Sequence, residues 1–158
     1  MTTETPVTLD QLDRAIVALF ADEPRIGVLE ASRRLRVARG TVQARLDRME
    51  RTGVITGWGP DISPEAIGYA VTAFVTIQIA QHSGRDALTR HIAAIPEVLE
   101  CWTITGSGDL WCRIVAHNNA DLQRVIDLMV SEELVVRSST LIGLSEAIPY
   151  RTGPLVQC

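Results

Sequence analysis

Residues 25–55, RIGVLEASRRLRVARGTVQARLDRMERTGVI, restrict the fold of this chain more than any other stretch, because two runs with helical spacing are parted only by a tight turn. A helix is predicted over about Val28–Leu35. Arg36 and Val37 separate it from a third helix, in which Val42, Leu46 and Met49 recur at i, i+4 and i+7 and so mark the inward stripe. Ahead of these, Thr8 and Gln11 have capping-box spacing, and Leu12, Ile16, Leu19 and Phe20 predict a first helix ending near Ala21. Three short helices with this spacing form the layout of a helix-turn-helix.

The charge of the segment points to its partner. Eight arginines (25, 33, 34, 36, 39, 45, 48 and 51) face three acids (Glu30, Asp47 and Glu50), a net +5 in a chain whose total is −4. Residues 1–60 carry +1 and residues 61–158 carry −5, so a basic half precedes an acidic one. The chain has no lysine, and every cationic phosphate contact would fall to arginine. With Val42, Leu46 and Met49 inward, the outward arc of the third helix holds Gly40, Thr41 and Ala44, flanked by Arg39, Gln43 and Arg48. Arginine and glutamine can pair with guanine and adenine edges in the major groove. Arg45 lies nearer the buried stripe, where it can clamp a phosphate or an acid of its own domain. An arginine-rich face on an arbitrary helix is usually solvated surface; its place as the third helix of a compact trio favours contact with double-stranded DNA.

After Gly53, residues 56–64 (TGWGPDISP) are rich in turn formers and read as a hinge containing a short strand. Trp58 is expected to pack one domain on the other instead of stacking on a base. The remainder alternates strand, helix, strand, strand, helix, strand: Tyr69–Ile79, a helix capped by Ser83 with Leu88, Ile92 and Ile95 inward, Val98–Thr105, Leu110–Val115, a helix capped by Asn119 with Leu122, Val125, Ile126 and Met129 inward, and Val135–Leu144. This βαββαβ order is the ferredoxin-like pattern. The expected class is therefore α+β, with a winged-type helix-turn-helix over 1–55, a hinge over 56–68 and a ferredoxin-like domain over 69–158. Val71, Ala73, Val75 and Ile77 share one face of the first strand and Phe74 the other. Two helices cover only one face of a four-stranded sheet, so a homodimer joined through the sheets is expected.

Cys101, Cys112 and Cys158 have neither metal-type spacing nor an even count; they read as reduced packing residues, with Cys101 and Cys112 near each other across a hairpin and Cys158 the most exposed. No metal or cofactor is expected. No stretch approaches the length of a membrane span, and MTTETPVTLD lacks the layout of a signal peptide, which predicts a cytoplasmic, nucleoid-associated protein.

In series, several short elements resemble the Lrp/AsnC family of amino-acid-responsive transcription regulators. These are Leu9-Asp10 with Asp13 and Ile16, Arg25-Ile26, Thr41-Val42 with Arg45, Met49-Glu50 with Gly53-Val54-Ile55, Asp61-Ile62-Ser63-Pro64 with Ile67-Gly68-Tyr69, Ile95-Pro96-Glu97-Val98, and Ile104-Thr105-Gly106 with Asp109. The resemblance implies a sensor domain that pairs into dimers and assembles into tetramers or octamers, with an amino acid or related metabolite bound near the Thr105–Asp109 loop. Glycine-exposed N–H groups there can receive a carboxylate and Asp109 an ammonium. Gly106 and Asp109 lead the candidate effector residues, with Thr105, Ser107, Ser139 and Thr140 beside them; a plain hairpin turn would also use Gly and Asp. The chain departs from the family at Gly27 and Ala38, where capping serines are usual, and at Arg36, where the turn usually has glycine. Ser107-Gly108 likewise replaces a common acidic-aromatic pair. Two rivals share the layout. One is an enzyme of the siroheme decarboxylase type, for which His82, His91 and His117 are available; the other is an architectural DNA-binding protein without a ligand.

Overall fold

The computed structural model describes residues 7–80, 84–131 and 134–156. The cap expected at Ser83, the histidine at 82 and the thiol of Cys158 lie outside them. Two compact units emerge, one running to Asp61 and including the stretch from Pro149 onward, the other Ile62–Ile148.

The first unit contains α1 (Gln11–Asp22), α2 (Val28–Leu35) and α3 (Arg39–Arg51). Their apolar stripes meet at Ile16, Phe20, Ala31, Val42, Leu46 and Met49, all buried. The cap of α1 is not at Thr8: the Asp10 carboxylate accepts from the Asp13 backbone N–H at 2.9 Å, while the Asp13 carboxylate accepts from Asp10 N–H at 3.0 Å. A charged acceptor at a helix start also meets the positive end of the helix dipole, which favours Asp10 over the threonine two residues earlier. The N–H of Asp13, and next the Arg45 guanidinium, hold the Asp10 carboxyl down at about 2 from its ordinary 3.8. A depressed folded pKa stabilises the fold above the unfolded value, so this contribution is complete above about pH 4 and disappears as pH falls through about 2. Urea midpoints measured between pH 5 and 2 should fall more steeply for the native chain than for Asp10→Asn.

The turn into α3 has the form that the sequence departures imply. Arg36 adopts a left-handed conformation at φ 57°, and neither Gly27 nor Ala38 provides a side-chain cap. Residues 56–63 form no strand within the described chain, since a lone extended segment finds no neighbour there to pair with. Trp58, expected to pack one domain on the other, packs within its own unit: its ring meets Phe20 edge-on at 5.4 Å and its indole N–H donates to Glu50. The segment after Pro149 also differs from expectation, grouping with the first unit instead of the second. Its 3-10 turn, Gly153–Val156, lies on α1, where Arg14 donates to the Val156 carbonyl at 3.3 Å.

The second unit contains β1 (Val71–Ile79), α4 (Arg85–Ala93), β2 (Val98–Thr103), β3 (Leu110–Ala116), α5 (Asn119–Met129) and β4 (Val135–Gly143). The four strands form one antiparallel sheet in the order β2-β3-β1-β4, which is the ferredoxin-like arrangement. Alternation along β1 puts Ala73, Val75, Ile77 and Ile79 into the core with Leu88, Ile92, Leu122, Val125 and Met129 of the helices. Asn118, not Asn119, caps α5 by accepting from Asp121 N–H at 2.9 Å; its extended backbone is the one that lets a side chain reach forward. On the other face of the sheet, Phe74 stacks on Trp111 at 5.4 Å, Trp102 is 59% exposed and Leu141 is 69% exposed.

Candidate nucleic-acid interface and ligand loop

Arg39, Gly40, Thr41, Gln43 and Ala44 are exposed, while Val42, Leu46 and Met49 on the opposite side of α3 are buried. At 100° per residue, the first five share the arc that the inward stripe leaves free. Ala38 has no side chain to cap the helix, and its carbonyl receives the N–H groups of Thr41 and Val42. The earlier N–H groups at this exposed end suit a phosphate, as helix N-termini do generally. Gln43 donates to Asp47 at 2.7 Å, which orients its amide along the helix.

Arg45 and Arg48 are placed differently from the other five. Asp13 is wholly buried, and its carboxylate pairs with both: Arg45 at 3.0 Å and Arg48 in a close ion pair, with Arg45 also reaching Asp10. For Arg45 this is the internal acid that its position near the stripe allowed. For Arg48 it corrects the expected outward placement, because the i+3 step from Arg45 brings both guanidiniums over the same point on α1. The sequence signal was present in Asp13 itself, a carboxylate one turn before Ile16 on the inward side of its helix. Arg34 pairs with Glu23 and Glu30, and Arg33 with Glu30. Arg25, Arg36, Arg39 and Arg51 make no ion pair with another described residue, so the positive field is left mainly to them.

In the second unit, the turn between β2 and β3 closes with Ile104 N–H donating to Asp109 C=O at 3.0 Å. Asp109 then ties the turn to β1: its N–H donates to the Ile77 carbonyl at 2.9 Å and its carboxylate accepts from Ile79 N–H at 2.9 Å. One carboxylate oxygen is thus committed to the backbone. Gly106 has φ 113° with open space around it, and Thr105, Gly106 and Ser107 form an exposed bend. Gly108 is buried against Thr76, where an added Cβ would stand 2.3 Å from Thr76 Cγ2.

Strand register sorts the remaining candidates. Ser139 pairs with Thr76, which pairs with Trp111, and Trp111 with Trp102; these four share the open face beside Gly108. Thr140 pairs with Val75 and therefore points to the helix-covered face, opposite to Ser139, because neighbouring strand residues alternate. Ser139 and Thr140 cannot both approach one ligand from that strand. Thr76 was absent from the sequence expectation; only the register brings it to the loop, against Gly108.

Two histidines that an enzyme would need are tied to backbone: His91 Nε2 lies 2.7 Å from the Leu128 carbonyl, and His117 Nδ1 lies 2.8 Å from the Gly68 carbonyl with its ring stacked on Tyr69. Among the described residues no group of three potential ligands could hold a metal ion, and no described helix is long and apolar enough to cross a membrane.

Known proteins share both parts. The model of the Lrp/AsnC ligand binding domain matches residues 72–152, and a winged helix-turn-helix DNA-binding model matches residues 9–56. An uncharacterized HTH-type transcriptional regulator of Pyrococcus abyssi is 34% identical over 120 residues, 76% of this chain and 75% of that one. The regulatory protein AsnC of Escherichia coli K12 is 27% identical over 147 residues, 92% and 97% of the two chains. The structure of E. coli AsnC superposes with a TM-score of 0.86 at 26% identity, covering 94% of this chain and 100% of that one. A feast or famine regulatory protein from M. tuberculosis, complexed with L-methionine, gives a TM-score of 0.82 at 27% identity, covering 92% and 98%.

Proposed function

This chain belongs to the Lrp/AsnC family of DNA-binding transcriptional regulators, and we propose that it reads DNA through the exposed arc Arg39, Gly40, Thr41, Gln43 and Ala44 under the control of an amino acid bound beside the Thr105–Asp109 loop. The observation that carries the reading is the division of labour on α3. Arg45 and Arg48 fasten the helix to Asp13, which leaves its amino-terminal arc exposed and fixed in direction.

The open face bearing Phe74, Trp102, Trp111 and Leu141 supports a homodimer through the sheets, since so much contiguous apolar surface is costly in water. A dimer presents two recognition helices to successive major grooves, and tetramers or octamers would multiply weak contacts further. Thr105, Gly106, Ser107, Asp109, Thr76 and Ser139 form the ligand side, with exposed N–H groups for a carboxylate and the uncommitted Asp109 oxygen for an ammonium. The L-methionine bound by the M. tuberculosis relative makes that amino acid the first probe. A ligand that favours one assembly state shifts the population towards it and changes DNA affinity accordingly. Such a protein acts in the cytoplasm, at the nucleoid.

Arg39→Ala should weaken DNA binding at every sequence and reduce the slope of log affinity against log salt by about 0.9 for each phosphate that the variant no longer neutralises. Titrations of a promoter fragment at several salt concentrations measure both. An unchanged slope would remove Arg39 from the phosphate-binding set, and a thermal shift absent with every amino acid would count against the ligand assignment.

A further inference from the structure

Cys101 on β2 and Cys112 on β3 stand directly opposite each other, on the helix-facing side of the sheet in the row that continues to Val75. The Ile104 to Asp109 hydrogen bond fixes the alternation along this ladder and makes 101–112 a non-hydrogen-bonded pair. Facing Cα atoms at such pairs are about 4.5 Å apart, inside the range a disulfide spans. Cys112 is wholly buried and Cys101 half-buried, so an oxidant from solvent meets Cys101 first. We propose that Cys101 and Cys112 form a peroxide-responsive dithiol, closing a reversible disulfide across the hairpin that carries the Thr105–Asp109 loop.

The two facing thiols interact, and their acidities diverge for that reason. The neighbouring Cys112 thiol lowers the pKa of Cys101, while the same contact, together with burial, raises that of Cys112. Cys101 is therefore the attacking thiolate and Cys112 the resolving thiol. The Cys101 sulfur attacks one oxygen of a hydroperoxide; the O–O bond breaks, Cys101 becomes a sulfenic acid, and the departing oxygen takes a proton to leave as water or an alcohol. The Cys112 sulfur then attacks the Cys101 sulfur, the S–O bond breaks, and the sulfenic oxygen leaves as water with the Cys112 proton. Two thiols are oxidised by two electrons and one peroxide is reduced. In a reducing cytoplasm the resting form is the dithiol, and cytosolic disulfides are usually of this transient kind.

The experiment uses the full chain carrying Cys158→Ser, treated with hydrogen peroxide and digested with trypsin. Both cysteines fall in one arginine-bounded peptide, residues 91–113. The expected product is lighter by two hydrogen masses, resists alkylation, and regains two alkylatable thiols after dithiothreitol. In Cys112→Ser, dimedone should trap the sulfenic acid on Cys101. Two results would overturn the proposal: both thiols still alkylated at a peroxide dose that fully oxidises glutathione, or Cys101 driven to a sulfonic acid while Cys112 stays reduced. Any change in ligand response rests on the reading of the 105–109 loop, whereas the disulfide does not. A full disulfide yield with an unaltered amino-acid response would support the dithiol and weigh only against the loop.

Discussion

Asp13→Ala is expected to lower the stability of the helix-turn-helix unit by about 2–4 kcal/mol, read as a fall in the urea midpoint. Breaking a buried ion pair by removing one partner typically costs about 3–5 kcal/mol, because the remaining charge stays buried without compensation. The figure here is discounted because Arg45 and Arg48 are 31% and 37% exposed and can hydrate once the acid is gone. Asp13 also accepts the Asp10 N–H, so the α1 cap weakens in the same variant. Replacing the whole group, Asp13→Leu with Arg45→Met and Arg48→Met, should recover most of the stability, since no orphaned charge is left. That triple variant has a second use. If it binds DNA with the native salt slope, Arg45 and Arg48 hold the helix and do not touch phosphate; a slope lowered by the equivalent of two phosphates would return them to the interface.

Gly108→Ala should cost about 1–3 kcal/mol in the sensor unit, the range for forcing a methyl into filled space. The new Cβ would stand 2.3 Å from Thr76 Cγ2 and 3.3 Å from the Ile77 carbonyl, so Thr76 or the loop must move. Thr76→Ser deletes the obstructing methyl and keeps the hydroxyl, and the double variant should regain about 1 kcal/mol or more relative to simple addition, because the two sites touch. Additive effects in that cycle would show that the clash with the methyl is not the cause. Gly106→Ala provides the contrast: its surroundings are open, but φ 113° is poorly tolerated by any residue with a side chain. Two glycines two residues apart are thus required for different reasons, one for space and one for backbone conformation. In amino-acid titrations, Gly108→Ala should also weaken the response by displacing the loop from Thr76.

Residues 28–35 were readable as α2 to the residue because Val28 to Leu35 sits between a glycine and a basic turn, and local signals decide such boundaries. The inward stripes were readable for the same reason: Val42, Leu46 and Met49 on α3, and Leu122, Val125 and Met129 on α5, are all buried. Caps were less legible. Asp10 and Thr8, or Asn118 and Asn119, are competing acceptors within a residue or two of one another, and only the backbone path selects between them. On the candidate sites, the exposed arc from Arg39 to Ala44 followed from periodicity, whereas the destination of Arg48 did not. Its guanidinium lies several bonds from the backbone, and a buried carboxylate on another helix outweighs its own helical phase.

The strand expected in the hinge aside, the sequence by itself determined which segments become helix or strand, their order, and which side of each is apolar, since these depend on spacing within a dozen residues. Tertiary structure decided what only distant chain segments can settle. It turned Arg45 and Arg48 onto Asp13, some 32 to 35 residues away, put Ser139 beside Thr76 and Thr140 on the reverse face, and set Cys101 against Cys112. The physical reason is register: a pleat of period two and a helix of 3.6 fix which way each side chain points, but the partner it meets depends on how two elements are aligned, and packing alone sets that alignment.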